Sequence, residues 1–507
     1  MSERIKVLPE DEFNRALVDR VHPPDYVNPE PASKYNLVVV GAGTAGLVSA
    51  IGASSLGARV ALVEKHLFGG DCLNFGCVPS KAIIRSARVM GEINRSSEYG
   101  IRMDGHAQAD FPKVMERMRR LRVQISRNDS VDRFVSMGND IFLGEGKFID
   151  RNKLEVDGKV LKFKKAVIAT GARPRQPEIE GLTEAGFLTN ETVFSLTEMP
   201  DKLVVIGGGP IGVELAQAFC RFGSKVTIIQ RNEQFLPRED RDAADLLGRV
   251  LEREGIVCKL RTQVTKVSVR GGVKVVHATG PHGEETIEAD SILVGVGRIP
   301  NVNGLNLEAA GVEYDHVNGA KINPYLQTTN KNIYAAGDVC YPYMFTHMAE
   351  ATARIVIQNA MFIRSAKHRS LTIPWCTYTD PEIAHVGLYE KDAEEKGIPF
   401  ETFFKSLADV DRAVLDGEED GFIKIHVKKG KSKILGATIV ARNAGDMLSE
   451  ITLAMVTGKG VKPLSVGVIH PYPTQSDVVK RTASQYYEKK MTPFLKKLLA
   501  RWFAWRL

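Results

Sequence analysis

The sequence predicts an α/β protein with two Rossmann-like dinucleotide-binding domains and a C-terminal α+β domain. Three observations predict it. From Asn36 the chain reads strand, glycine loop, helix, strand, as NLVVV, GAGTAG, LVSAIGASSLG and ARVALVE. The same order returns at 203–230 as LVVI, GGGPIG, VELAQAFCRFG and SKVTIIQ. Beyond about residue 370 the texture changes to TYTDPEIAHVGL, GFIKIHV and ILGATIV, strand-like runs without such loops. Two βαβ units with glycine loops mean two nucleotide-binding domains.

Residues 1–35 read as an irregular leader, with a short helical stretch near DEFNRALVDR and prolines at 23, 24, 29 and 31. The first dinucleotide domain spans 36–182 and resumes at 302–368, because NIYAAGD at 332–338 looks like a returning strand. The second occupies 183–301 and interrupts the first. The α+β domain covers 369–490, and 491–507 form a tail.

With 507 residues, 43% of them hydrophobic, the chain can build about three separately cored domains. A formal charge of +7 is mild for this length: it suits anionic cofactors and is no nucleic-acid-binding signature. No run of eighteen apolar residues and no signal-peptide core is present, so the expected compartment is the cytoplasm. Six cysteines do not make a disulfide scaffold. Cys220, Cys258, Cys340 and Cys376 are scattered and expected to be buried and inert.

Gly41, Gly43 and Gly46 form G-x-G-x-x-G between a strand and a helix, and Glu64 ends the next strand. The glycines allow the tight turn, the approach of a pyrophosphate and close helix–strand packing; the acid would accept from a ribose hydroxyl. The phosphate then sits at the positive end of the helix. Gly207, Gly209 and Gly212 repeat the pattern, but at the offset of Glu64 stands Gln230, followed by Arg231. Losing the carboxylate and gaining a guanidinium favours a 2′-phosphate, hence NADPH over NADH, with NADH still acceptable.

In FGGDCLNFGCVPSKA, Cys72 and Cys77 stand at C-x4-C ahead of an apolar-periodic helix, with Pro79 in its first turn. A helix N-terminus favours a thiolate at Cys77. No second cysteine or histidine pair stands at zinc-ligand spacing, so no metal site is expected.

These residues resemble the FAD- and NAD(P)-dependent disulfide oxidoreductases of the lipoamide dehydrogenase, glutathione reductase and mercuric reductase type, over about 36–490. The resemblance assigns FAD to the first domain, NAD(P) to the second and dimerisation to the third. It implies that Cys77 contacts the flavin and forms the charge-transfer complex, while Cys72 is the interchange thiol that meets substrate. It further implies that Lys81 lies beside the flavin, paired by Glu214, that Thr170 and Gly171 in ATGARP cross over FAD, that Asp338 reaches the ribityl chain, that Met344 to His347 approach the ring, and that Gly297 contacts the nicotinamide side. Electrons pass from the nicotinamide cofactor through the flavin to Cys77.

The family's histidine base sits in a motif like HxHPTxxE, where an acid orients it. Here HPYPTQSD places Tyr472 at the base position and Asp477 at the acid position, with His470 two residues earlier. A tyrosine, with a pKa near 10, is a poor proton acceptor. Tyrosine there, IPWCTYTDPEIAHVGL and FTHMAEATARIVIQNAMF are similar to mercuric reductase. The closest resemblance is to mercuric reductase-like proteins without the N-terminal metal-binding head and the C-terminal cysteine pair; Hg(II) reduction is therefore in doubt. The expected acceptor is a disulfide, of a small molecule or small protein, or a soft metal ion, and the expected assembly is a homodimer.

In the tail, Thr492 and Pro493 suit an N-cap and first turn. Phe494, Leu495, Leu498, Leu499, Trp502 and Trp505 fall on one helical face, and Lys496, Lys497 and Arg501 on the other. Docking against the protein's own dimer is the favoured reading and a peripheral membrane contact the alternative. Two rival functions are a membrane-surface NAD(P)H:quinone-type flavoprotein and a non-catalytic flavin-binding sensor.

Overall fold

The computed structural model describes residues 5–103, 105 and 107–507. The chain packs as two units: residues 1–233 with 254–371, and residues 234–253 with 372–507.

The first unit is built on a seven-stranded sheet. A helix, α1 (Glu12–Val21), precedes strand β1 (Tyr35–Val40), helix α2 (Thr44–Ser54) and strand β2 (Val60–Glu64). Helices α3 (Gly70–Asn74), α4 (Cys77–Asn94) and α5 (Phe111–Ser126) then lead to strand β3 (Asn139–Leu143). Strand β1 pairs in parallel with β2 on one side and with the strand Lys159–Ile168 on the other, so Val39 lies between Leu62 and Val167. All five residues of β2 are buried, the pattern of a parallel strand covered on both faces. The strand order reverses beside β1, which opens the ligand crevice at its carboxyl end, where Gly41 stands. Strand Ile333–Ala335 returns to this sheet alongside Lys159–Ile168, as NIYAAGD suggested.

The short helix expected at DEFNRALVDR forms as α1, and the other described residues of 5–34 are irregular, as expected. Asp11 caps α1 by accepting from the Asn14 N–H at 2.8 Å. Leu17, Val18 and Val21 are buried with Phe68, Val131 and Phe134 in the main core. The proline-rich stretch comes after this helix; the helix itself carries an apolar face that the sheet domain covers.

In the same unit, strands Lys202–Ile206, Lys225–Ile229, Val257–Lys259 and Ser291–Val294 form a second parallel sheet. Its glycine loop runs into the helix Pro210–Phe222.

The second unit holds a five-stranded antiparallel sheet in the order Pro374–Thr377, Glu382–Gly387, Ile434–Ala441, Phe422–Lys428, Phe400–Ser406. Helices Ala444–Val456 and Asp477–Glu488 cover it through Ile451, Val478 and Val479. Residues 234–253, which the sequence assigns to the nucleotide-binding stretch 183–301, pack here: Trp375 donates to Glu239 at 2.8 Å, and Lys424 meets Asp240 at 2.8 Å. Thr492 caps the closing helix Pro493–Trp505 through the Leu495 N–H. None of that helix is buried, and Phe494 and Trp505 are 76% and 80% exposed. No helix among the described residues is long and apolar enough to cross a membrane.

Candidate active site

The chemistry-bearing segment lies between β2 and α4. Gly70 has φ +57°, and a Cβ there would meet Gly43 Cα at 2.7 Å, so the cysteine loop abuts the first glycine loop only because residue 70 is glycine. Helix α3 carries Cys72, and Gly76 then starts α4 at Cys77. Cys72 is half-buried and Cys77 exposed, and both sulfurs are unbonded.

A hydrogen bond from the Cys72 thiol, contact with Thr346 and the nearby Lys81 charge pull the Cys77 thiol down to about 6, against the effect of burial. The Cys72 thiol moves up, because it donates to Cys77 and is itself buried. Both directions favour the thiolate at Cys77 over the thiolate at Cys72. Thr346 Oγ1 stands 3.3 Å from Cys77 Sγ. Lys81, one turn along α4, reaches Glu214 Oε2 at 2.8 Å, and that glutamate side chain is only 7% exposed. This ion pair joins the cysteine helix to the helix after the second glycine loop.

Asp71 anchors the loop from the other side. It accepts from Asn190 Nδ2 at 2.9 Å and from Arg298 Nη1 at 3.0 Å. Arg298 Nε lies 3.8 Å from Asp338, whose carboxyl burial raises to about 6 even with that guanidinium nearby. The sequence does not single out Asp71, Asn190 or Arg298, because Asn190 and Arg298 stand 119 and 227 residues from Asp71, whereas Thr346 falls inside the run Met344 to His347 expected near the ring.

Glu64 is buried at the end of β2, accepting from the N–H groups of Ala42 at 2.6 Å and His66 at 2.7 Å. Gly43 and Gly209 begin their helices with no side-chain cap, which leaves the first N–H groups available to a phosphate. Gln230 is buried beside the second sheet and Arg231 is exposed. Thr170 Oγ1 donates to the Asn301 carbonyl at 2.7 Å, Gly171 O accepts from Asn301 N at 2.9 Å, and Gly297 O accepts from Arg175 N at 2.9 Å. Met344 is half-buried; His347 is exposed and stacks on Phe345. The two uncapped glycine turns and Glu64 fit a dinucleotide at each glycine loop.

In the second unit, Tyr472 is 76% exposed and donates to Asp411 Oδ2 at 3.1 Å. Hydrogen bonding to Asp411 raises its pKa, so the hydroxyl keeps its proton. Asp477, aligned with the orienting acid, instead accepts from Arg481 Nε at 2.5 Å, its partner one turn along the same helix. His470 turns inward, with Nε2 3.2 Å from both oxygens of Glu450. Of the scattered cysteines only Cys340 is fully buried; Cys220, Cys258 and Cys376 are half-buried, a looser setting than expected. Burial still raises the Cys220 thiol, to about 11.

Residues 35–353 match the family described as pyridine nucleotide-disulphide oxidoreductase, and 373–483 match its dimerisation domain. A mercuric reductase of Staphylococcus aureus is 37% identical, over 89% of this chain and 82% of its own. A dihydrolipoyl dehydrogenase of Mycoplasma pneumoniae is 34% identical, over 88% of this chain and 97% of its own. The solved HOCl-induced flavoprotein disulfide reductase RclA from Escherichia coli superposes with a TM-score of 0.79 at 29% identity, covering 88% of this chain and 99% of that one. With paired thiols behind one glycine loop and a second glycine loop beside them, the chain belongs to the pyridine nucleotide-disulphide oxidoreductases, flavoprotein enzymes that use FAD and NAD(P)H.

Proposed function

We propose that the enzyme passes electrons from NADPH, by way of FAD, to Cys72 and Cys77, and from them to a disulfide or a soft metal ion. FAD, when bound, supplies the two-electron step between hydride and thiol chemistry. The observation that carries the reading is the placement of Cys72 and Cys77 on a loop seated against the first glycine turn, with Thr346 Oγ1 3.3 Å from Cys77 Sγ and the Lys81–Glu214 ion pair one helical turn on. Cys77 faces the flavin and Cys72 meets the acceptor. Lys81 fixes charge beside Cys77, and Glu214 holds Lys81.

In this reading residues 36–182 and 302–368 bind FAD, with Gly41, Gly43, Gly46 and Glu64 on its phosphates and ribose. Thr170, Gly171, Asp338, Met344 and His347 line the rest. Residues 183–301 bind the nicotinamide cofactor through Gly207, Gly209, Gly212 and Gly297, and the Gln230–Arg231 pair selects the 2′-phosphate of NADPH. The assembly is a homodimer in which Tyr472 of the partner subunit approaches the thiols as a proton donor; Asp477 supports that segment through Arg481.

The test is an anaerobic acceptor panel after NADPH reduction: Hg(II) with excess thiol, oxidised glutathione, lipoamide and quinones. The acceptor that reoxidises the dithiol fastest names the substrate class. If wild-type enzyme and a Cys72→Ser, Cys77→Ser double variant reduce every acceptor equally, the thiols are bystanders.

A second reading, a quinone reductase held at a membrane surface, is favoured by the exposed apolar face of Pro493–Trp505. Liposome flotation of the full chain against one cut before Thr492 decides it: equal flotation removes the membrane contact and leaves docking within the dimer.

A further inference from the structure

Arg122 is 1% exposed, among the largest fully buried side chains of the protein, and its guanidinium donates to neutral oxygens. Nη1 donates to the Asn74 carbonyl at 2.7 Å, and Nη2 donates to Asn14 Oδ1 at 2.6 Å. Burial lowers this guanidinium to about 10, which leaves it charged at neutral pH. A buried charge costs several kcal/mol unless hydrogen bonds compensate it, so these two bonds matter to both ends of the bridge.

One end is the cysteine loop and the other is the leader. Asn74 lies between Cys72 and Cys77, and its amide donates to the carbonyls of Phe68 at 2.9 Å and Gly70 at 2.8 Å. The Phe68 N–H in turn donates to the Val21 carbonyl at 3.0 Å, back in the leader. The bonds close a ring: Asn14, Arg122, Asn74, Phe68, Val21 and, through α1, Asn14 again. Asn14, Arg122 and Asn74 are each 1% exposed. An ion pair, Arg119 with Asp11, fixes α1 to α5 beside it. The leader lies before residue 35, where the match to the family begins.

We propose that the leader helix is a brace for the redox loop, in which Asn14 and Arg122 are positioning residues that hold the two sulfurs at the separation needed for disulfide closure. The inference rests on Cys72 and Cys77 being the redox pair. In that couple the S–S bond breaks as two electrons arrive from the reduced cofactor and one proton is taken up, giving the Cys72 thiol and the Cys77 thiolate. Disulfide geometry is narrow, with Cβ atoms about 4 Å apart. A loop released at Asn74 samples wider separations, and the effective concentration of one sulfur at the other falls. The disulfide then becomes easier to reduce, with little change in the charge around either sulfur.

The experiment measures the Cys72–Cys77 dithiol–disulfide equilibrium against a glutathione redox buffer in the FAD-loaded enzyme, with thermal midpoint and FAD content recorded in parallel. Asn14→Ala removes the acceptor oxygen from Arg122, and Asn14→Asp keeps it and adds a carboxylate partner. The expected result is a roughly tenfold fall in the disulfide equilibrium constant for N14A, about 30 mV more positive, with N14D close to wild type. Should N14A not fold, Asn14→Ser, whose shorter hydroxyl stops short of Arg122, must shift the same way. A lower thermal midpoint with an unchanged equilibrium makes the leader a stabilising segment only, and overturns the proposal. If the wild type itself forms no Cys72–Cys77 disulfide, the redox-pair reading fails and this inference falls with it.

Discussion

The two glycine-loop regions share a scaffold and differ in what they attach to it. Gly41 and Gly207 have φ values of +102° and +109°, and a Cβ on either would meet a backbone carbonyl at 2.5 Å, Ala169 in one case and Gly295 in the other. Gly46 and Gly212 each press on the carbonyl of the first glycine of their loop. Both helices begin without a side-chain cap. The next strands end differently: β2 closes on the buried carboxylate of Glu64, and Lys225–Ile229 leads to Gln230 and Arg231. Only the first region then inserts a cysteine loop, seated on its own glycine turn through Gly70 and Gly43. The glycines set where a dinucleotide can lie; the residues around them decide which dinucleotide it is and which chemistry it serves.

The largest expected break in this parallel comes from the cysteine loop, which has no counterpart in the second region. Cys77→Ser should lower acceptor reduction on the order of 10³-fold or more, as removal of a group in the reacting set does. NADPH should still reduce the flavin, a split that stopped-flow absorbance at the flavin wavelength resolves. Equal loss of both steps would place Cys77 in folding rather than in electron transfer.

Alanine at the two first glycines should separate the regions. A side chain at such φ costs roughly 1–3 kcal/mol, besides the carbonyl clash. Gly41→Ala should purify with little FAD, whereas Gly207→Ala should keep FAD and lose about 100-fold in kcat/KM for NADPH. Measured flavin content and steady-state kinetics check both; the reverse assignment of losses would exchange the two sites.

Gln230→Glu restores in the second region the acid that the first one has. It should cost about tenfold in kcat/KM for NADPH, about 1.4 kcal/mol, with NADH less affected, and Arg231→Gln should act in the same direction. A ratio that does not move makes Arg231 a solvated charge only.

The smallest effect is on proton count. With Cys77 lowered to about 6, reduction of the pair takes up one proton above that pH and two below it. The midpoint potential should fall with rising pH at about 30 mV per unit above pH 6 and about 60 mV per unit below it. Lys81→Met removes the positive charge near Cys77, so the break should move upward by about one unit. A break that stays put in K81M would assign the thiolate to the hydrogen bonds of Cys72 and Thr346.

The legible parts of the site were local in sequence. Each glycine loop is a contiguous run between a strand and a helix, and C-x4-C with Pro79 and Lys81 lies in a single fifteen-residue stretch. What escaped was held by distance along the chain. Asp71 gains its partners only when Asn190 and Arg298 arrive from far downstream. The leader's short helix is legible in DEFNRALVDR, but its burial is not, because that depends on a sheet formed later in the chain. At the C-terminal motif, alignment on Pro473 and Thr474 matched Asp477 to the orienting acid. The partners there are set by the fold: Arg481 stands one helical turn from Asp477 and donates to it, and Asp411 accepts from Tyr472.

The central claim is that Cys72 and Cys77 lie within electron-transfer reach of the bound flavin. Anaerobic titration of the FAD-loaded enzyme with NADPH, monitored at long wavelength and by thiol counting, tests it most directly. A long-wavelength thiolate–flavin band should grow with two new thiols per subunit, persist in Cys72→Ser and be absent from Cys77→Ser. A flavin that bleaches with no such band, while the count of reactive thiols stays constant, would contradict it.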